Sequence, residues 1–434
     1  MSASEIEIGV DPQQVRLGRA QDGLMQLSAV DWRVGLAKSR NGYAGDERNV
    51  MLALRLAPEL KDLVRFNEFA LNTEFTRSPP WRDAKEGTTW TDDDDLHCQV
   101  WLQERGVEVR QRSVIADSVA AIAKEFSVHP VRMYLRSLQW DGRPRIDHWL
   151  ADFLGAQDDA AYLKAVGSRW LISAVARVEH PGCQADHVLV LEGKQGIGKS
   201  QTSRILAVRP PWFTDDVPDI RTKDAPIQLC GRWIIELAEL AAMRKAEIEG
   251  IKAFITRTQD VFRPPYQRRS ISVPRQSVFI ATTNESQYLR DPTGNRRFWP
   301  VRCTKIEVEA LGQHRDQMWA EAYARFDKGE SWHLTQAEVD LAASEQGHRV
   351  LVTEIEADVA EYLTRMADQG HTEIDAKSVM VHALGVDPST SGFADQAVRL
   401  GAQVAAAIER AGWAKLKRQG RGVSRRSTYR LVDR

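Results

Sequence analysis

The pattern of apolar and polar positions changes character along the 434 residues. Roughly the first 45 are polar and weakly periodic, which predicts a partly ordered lead-in over 1–48. From 49 to about 155, apolar positions recur at helical spacing. Met51, Leu52, Leu54 and Leu56 open one helix, residues 113–126 make another and 131–138 a third. Trp140-Asp141-Gly142-Arg143-Pro144 reads as a turn before a helix carrying Ile146, Trp149, Leu150 and Phe153. A helical N-terminal domain is therefore expected over 49–159, with His129 and Trp140 as packing residues. From 160 to about 331, apolar runs at 188–191, 233–235, 278–281 and 298–301 alternate with helical segments, as an α/β domain over 160–347 requires. The last unit, 348–434, has helical patterns at 355–366, 376–384 and 394–410, the third with Leu400, Val404 and Ile408 on one face. Strand-like stretches at 413–417 and 427–432 flank a basic, Gly-containing turn. Three helices followed by a hairpin outline a winged helix.

The most specific chemistry lies after the run at 187–191. Gly193-Lys194-Gln195-Gly196-Ile197-Gly198-Lys199-Ser200 fits G-x-x-x-x-G-K-[ST] at every fixed position, and 200–208 reads as the helix that should follow. In that arrangement backbone N–H groups surround phosphates at a helix N-terminus, Lys199 reaches the outer phosphates and the Ser200 hydroxyl ligates Mg²⁺. Gly193, Gln195, Gly196, Ile197, Gly198, Lys199, Ser200 and Gln201 are thus the expected nucleotide-binding residues, with a nucleoside triphosphate as ligand.

Hydrolysis also needs an acid at the end of a second strand. In Gly231-Arg232-Trp233-Ile234-Ile235-Glu236-Leu237-Ala238-Glu239, Glu236 follows an apolar run 37 residues beyond Lys199, and Glu239 is a second candidate for base work. The alternative for this acid is a surface carboxylate capping the next helix. A third strand ends in Asn284, whose amide both donates and accepts and so suits positioning of an attacking water. Eleven residues later begins Asn295-Arg296-Arg297, whose arginines are placed either to stabilise transition-state charge, often in a neighbouring subunit's site, or as a solvated turn pair. Between the second and third strands, Arg263, Tyr266, Arg268, Arg269 and Arg275 flank paired prolines. They predict a projecting hairpin that contacts single-stranded nucleic acid or is simply an exposed basic turn.

The net charge of −1 predicts no overall attraction to nucleic acid, yet it conceals local excess. Between 263 and 297, seven Arg face Glu285 and Asp291, a local +5; between 415 and 434, eight Lys or Arg face Asp433, a local +7. Lys415, Lys417, Arg418, Arg421, Arg425 and Arg426 are therefore further candidate DNA contacts. Acidic runs such as Asp92 to Asp95 offset them. The four cysteines have no C-x-x-C spacing and predict reduced core thiols rather than a zinc module or a disulfide framework. Without an apolar signal core or a run of about 18 apolar residues, a soluble cytoplasmic protein is expected.

Taken together, His129-Pro130 with Trp140-Asp141-Gly142, Pro181-Gly182-Cys183, residues 233–240, Asp260 with residues 263–266, and Thr293-Gly294-Asn295-Arg296-Arg297-Phe298-Trp299-Pro300 carry a resemblance. Over about 49–332 the chain resembles the virulence-associated protein E family, P-loop ATPases of prophages, plasmids and genomic islands that are similar to superfamily 3 replicative helicases. The resemblance implies an AAA+-like α/β core whose subunits ring around DNA, a hexamer being favoured, with ATP and Mg²⁺ bound at subunit interfaces. It implies Lys199 and Ser200 in the Walker A motif, Glu236 in Walker B, Asn284 as sensor 1, and Arg296 or Arg297 as arginine finger. Residues 263–275 would be the DNA-facing hairpin. The expected activity is a DNA-stimulated ATPase or helicase in replication of a mobile element. A P-loop switch in phage interference and a nucleotide-controlled DNA-binding regulator are the alternatives. Relatives can carry a primase module, which nothing in this chain supports.

Overall fold

A computed structural model describes residues 31–432 apart from 220–221, 223–224, 244, 265–268, 290–294, 351–353, 390–392 and 417–426. Contact density divides the chain into two units, the first comprising described residues up to 284 and 296–343, the second 285–295 and 344 onward.

The first unit begins with β1 (Tyr43–Ala44), α1 (Glu47–Leu56), β2 (Val64–Asn67), β3 (Asn72–Phe75), α2 (Asp92–Gln103), β4 (Val107–Glu108), α3 (Arg112–Glu125), β5 (Ser127–Val128) and α4 (Pro130–Ser137). The expected helices are present, but the region is not purely helical: β3-β2-β5 form one small sheet and β1-β4 another. Strands of two to four residues are too short to display an alternating pattern over a helical background. Their core is separate from that of the central sheet and gathers Val50, Leu54, Phe75, Trp101 and Ile115. The acidic run serves the start of α2. Thr91 and Asp94 form a capping box, the four aspartates occupy the positive end of the helix dipole, and buried Asp94 also accepts from Arg82 and Trp81.

There follow α5 (Trp149–Leu154), α6 (Ala160–Glu179), β6 (Val188–Glu192), α7 (Lys199–Leu206), β7 (Phe213–Thr214), α8 (Ala225–Gln228), β8 (Ile234–Leu237), α9 (Lys245–Ile255), β9 (Gln259–Phe262), β10 (Ile271–Pro274), β11 (Val278–Thr283), β12 (Phe298–Arg302), α10 (Val308–Asp327) and α11 (Gln336–His348), which straddles the boundary between units. Five of these strands form one sheet in the order β12-β6-β11-β8-β7, every neighbouring pair parallel. Its central strands are buried along their whole length, which is why their sequences read as continuous apolar runs. Three tryptophans fasten helices around it while satisfying their own N–H groups: Trp170 donates to the Phe279 carbonyl, Trp233 to Ala174 and Trp319 to Leu206. Trp233 and Trp319 also lie 4.4 Å apart.

The second unit holds α12 (Glu354–Asp368), β13 (Glu373–Asp375), α13 (Ala376–Leu384), α14 (Phe393–Arg410), β14 (Trp413–Lys415) and β15 (Thr428–Leu431). The three helices match the periodicity, and the sheet order is β13-β15-β14. The three-residue β13 carries no legible pattern and adds a strand to the expected hairpin. Trp413 and Tyr429 are buried with Val359, Leu363, Val404 and Ile408.

Candidate nucleotide site

The parallel sheet ends in a cleft beyond the C-termini of β6, β8 and β11. The loop after β6 bends through Gly193 (φ +150°), Gly196 (φ +82°) and Gly198 (φ +104°), conformations that side chains resist. At Gly193 a Cβ would also lie 2.6 Å from the Cys303 carbonyl oxygen, so the close approach demands glycine. Gly198 caps α7, whose first residues are Lys199 and Ser200.

Four expected residues meet here. Lys199 Nζ donates to the carbonyls of Gly193 (2.6 Å) and Lys194 (2.8 Å) and to Asn284 Oδ1 (3.0 Å). Burial holds its ammonium below the usual lysine range, opposed by Cys303 and the Glu236 carboxylate nearby. Ser200 Oγ donates to Glu236 Oε1 at 2.6 Å. Glu236 is fully buried within β8 rather than at a surface, so it caps no helix. Its Oε1 accepts a second bond, 3.1 Å long, from Thr282 Oγ1, while Oε2 is buried with no hydrogen-bond partner. A buried carboxylate oxygen without a donor is costly unless something positive completes it. That open oxygen, on the carboxylate whose Oε1 holds the Ser200 hydroxyl, fits a hard divalent cation with oxygen ligands such as Mg²⁺.

Gln195, Gly196, Gly198, Lys199, Ser200 and Gln201 line the open cleft together with Ala238, Glu239, Thr282 and Asn284. Ile197 instead packs against the main core, leaving only its backbone to the loop. Glu239 is exposed at φ +52°, a left-handed conformation costly for a side-chain-bearing residue. Thr282 was not foreseen. Its signal was the polar Thr282-Thr283-Asn284 ending of an otherwise apolar strand, which places a hydroxyl one strand away from the acid.

Arg296 and Arg297 are not brought to this cleft. They immediately precede β12, where Phe298 pairs with Val188, whereas the loop follows the far end of that ladder, where Arg302 pairs with Glu192. A five-residue strand, about 16 Å, separates the two ends. Arg296 is exposed, and Arg297 lies 3.7 Å from Asp186 with its Nε otherwise without a hydrogen bond.

The hairpin between the second and third site strands forms as expected, β9 pairing antiparallel with β10 from Phe262–Ile271 down to Gln259–Pro274. Arg263 and Arg269 are exposed near its tip, as is Val261 at 68%. Tyr266 and Arg268 lie outside the described residues. Arg275 corrects its expected role as a DNA contact. It is 4% exposed, pairs bidentately with Asp260 (2.5 and 3.0 Å), donates to the Phe254 carbonyl and stacks 4.1 Å over the Phe254 ring. It pins the hairpin root and is closed to a ligand. In the second unit Lys415 is exposed on β14, and Lys417, Arg418, Arg421, Arg425 and Arg426 lie outside the described residues.

The cysteines are free thiols, two buried (Cys98, Cys303) and two half-buried (Cys183, Cys230), with burial pushing each thiol up, Cys230 to about 11. Among the described residues no helix is long and apolar enough to cross a membrane.

No curated protein sequence matches this chain. Among solved structures, the apo C-terminal region of NrS-1 is similar at 12% identity and a TM-score of 0.46, covering 85% of this chain and 96% of that one. A second structure of that region, an A form, gives 12% and 0.45 at the same coverage. Residues 135–350 match the model of the virulence-associated protein E-like domain. That match spans the phosphate loop, β8, the hairpin and β12, and it identifies residues 135–350 as a virulence-associated protein E-like domain.

Proposed function

We propose that the protein is a P-loop ATPase of the AAA+ kind that couples nucleoside triphosphate hydrolysis to movement on DNA, in replication of a phage, plasmid or genomic island. The observation that carries this reading is the meeting of Lys199 with Asn284, and of Ser200 with Glu236, at one end of a parallel sheet. The strand bearing Asn284 lies between the strand of the phosphate loop and the strand of the acid, which suits a group that reads the outer phosphate.

In this reading Lys199 exchanges its loop carbonyls for the outer phosphate oxygens, and Asn284 holds the ammonium in place and orients water. Ser200 and Glu236 would hold Mg²⁺, which supplies charge neutralisation across the phosphates when bound. Thr282 keeps the Glu236 carboxylate turned toward Ser200. Glu239, at the lip, is the group placed to accept the proton of the attacking water. Arg296 and Arg297, a strand's length from their own loop, serve a neighbouring subunit's site, which favours a homo-oligomeric ring such as a hexamer. DNA would be met by Arg263 and Arg269 on the hairpin and by the second unit, whose element order, helix-strand-helix-helix-strand-strand, supports a winged helix.

Phosphate release should depend on Mg²⁺, rise with single-stranded DNA and accompany strand displacement on a forked duplex. Tight nucleotide binding with neither DNA stimulation nor displacement in the assembled protein would instead favour a switch ATPase. Mixing Arg297→Ala with Lys199→Ala protein should restore turnover at mixed interfaces; stable mixed oligomers that stay inactive would remove the shared site.

A further inference from the structure

The strand-borne polar groups that meet the phosphate loop lie to one side of it. Asn284 and Glu236 reach Lys199 and Ser200 from β11 and β8, the strands on one flank of β6. A triphosphate whose outer phosphate points to that flank must carry its base to the other, where β12 ends. Two segments close that side. One follows β12: the Ile306 and Val308 side chains lie 3.5 and 3.0 Å from where a Cβ on Gly198 would stand. The other is the end of α5, zipped to the first by hydrogen bonds from Thr304 N–H to the Leu154 carbonyl (3.3 Å) and from Glu307 N–H to the Phe153 carbonyl (2.8 Å). Where they meet, half-buried Phe153 stacks on exposed His314 of α10, with ring centroids 5.4 Å apart and planes 26° from parallel.

From this we infer a base-binding subsite beside the phosphate loop, formed by Phe153 and His314 with Val308 over the buried Ile306, that holds a purine by stacking and discriminates little between adenine and guanine. The inference rests on the phosphate-loop reading. Stacking rewards ring area and is blind to the exocyclic groups that distinguish the two purines, because every base offers a π-face. Val308 adds apolar contact, and the Gln201 amide, whose Oε1 lies 3.5 Å from the same Gly198 position, both donates and accepts and so can pair with the edge of either purine.

The test is calorimetric titration of the full chain with Mg²⁺ and, separately, ATP, GTP, UTP and inorganic tripolyphosphate. ATP and GTP should bind within about threefold of each other and roughly tenfold tighter than UTP, given the usual strength of base stacking. His314→Ala should weaken both purine nucleotides roughly tenfold, His314→Phe should restore them, and neither should alter tripolyphosphate binding. An unchanged ATP affinity in His314→Ala, an equal loss for tripolyphosphate, or a strong preference of the unmodified protein for ATP over GTP would overturn the subsite alone. If the unmodified protein bound neither tripolyphosphate nor any nucleotide, the phosphate-loop reading would fall and take the subsite with it.

Discussion

The cleft at the end of the central sheet and the β9–β10 hairpin are both rich in charge, yet they use it in opposite ways. In the cleft Lys199 and Glu236 are buried at 8% and 0% exposure and make directed contacts, leaving one carboxylate oxygen uncompensated. On the hairpin Arg263 and Arg269 stay in solvent, and buried Arg275 is spent on Asp260 and Phe254. Burial forces a charged group to find a partner, so a charge left incomplete in a buried place points to a ligand, whereas an exposed arginine reports only a field. The two regions are joined: β10 runs through Arg275 into β11, which ends at Asn284 against Lys199.

The largest expected effect breaks the cleft. Lys199→Ala should lower phosphate release by roughly a thousandfold with the fold intact by circular dichroism, since it removes a preorganised cation from the developing charge. Next comes the root of the hairpin. Arg275→Ala leaves half-buried Asp260 and the Phe254 carbonyl without their donor and should cost about 2 kcal/mol in denaturant unfolding. A variant that instead keeps full stability and loses only DNA affinity would return Arg275 to the DNA surface. By contrast, Arg263→Ala with Arg269→Ala should leave the melting temperature unchanged, weaken single-stranded DNA binding and reduce the slope of log affinity against log salt by about 1.4, at roughly 0.7 per lost phosphate contact on a single strand. The smallest effect is expected for Thr282→Val, which keeps shape but removes the hydroxyl from Glu236. Turnover should fall several-fold, with nucleotide affinity in the absence of Mg²⁺ unchanged, because the carboxylate loses one of its two hydroxyl donors and keeps the other, Ser200.

Legibility followed length and locality. The four buried strands β6, β8, β11 and β12 and the three helices of the second unit stood out because runs of three or four apolar residues, or several helical turns, are long enough to read. The two-residue β7 and the short strands around Val64–Asn67 had no room to repeat one. Arg275 was misjudged because it sits among arginines of like composition. Only its position directly after β10, turned into the domain against Phe254 and Phe279, separates it from Arg269.

The phosphate loop was determined by sequence alone, because its chemistry comes from consecutive residues whose glycines dictate their own backbone. What tertiary structure decided is everything that depends on register between distant strands. It set Glu236 against Ser200 rather than against solvent. It added Thr282 to that carboxylate, and it put Arg296 and Arg297 at the far end of β12. Parallel strands are brought together by crossovers, so which side chain faces which is fixed by sheet order and burial, and neither is written in the spacing of residues along the chain.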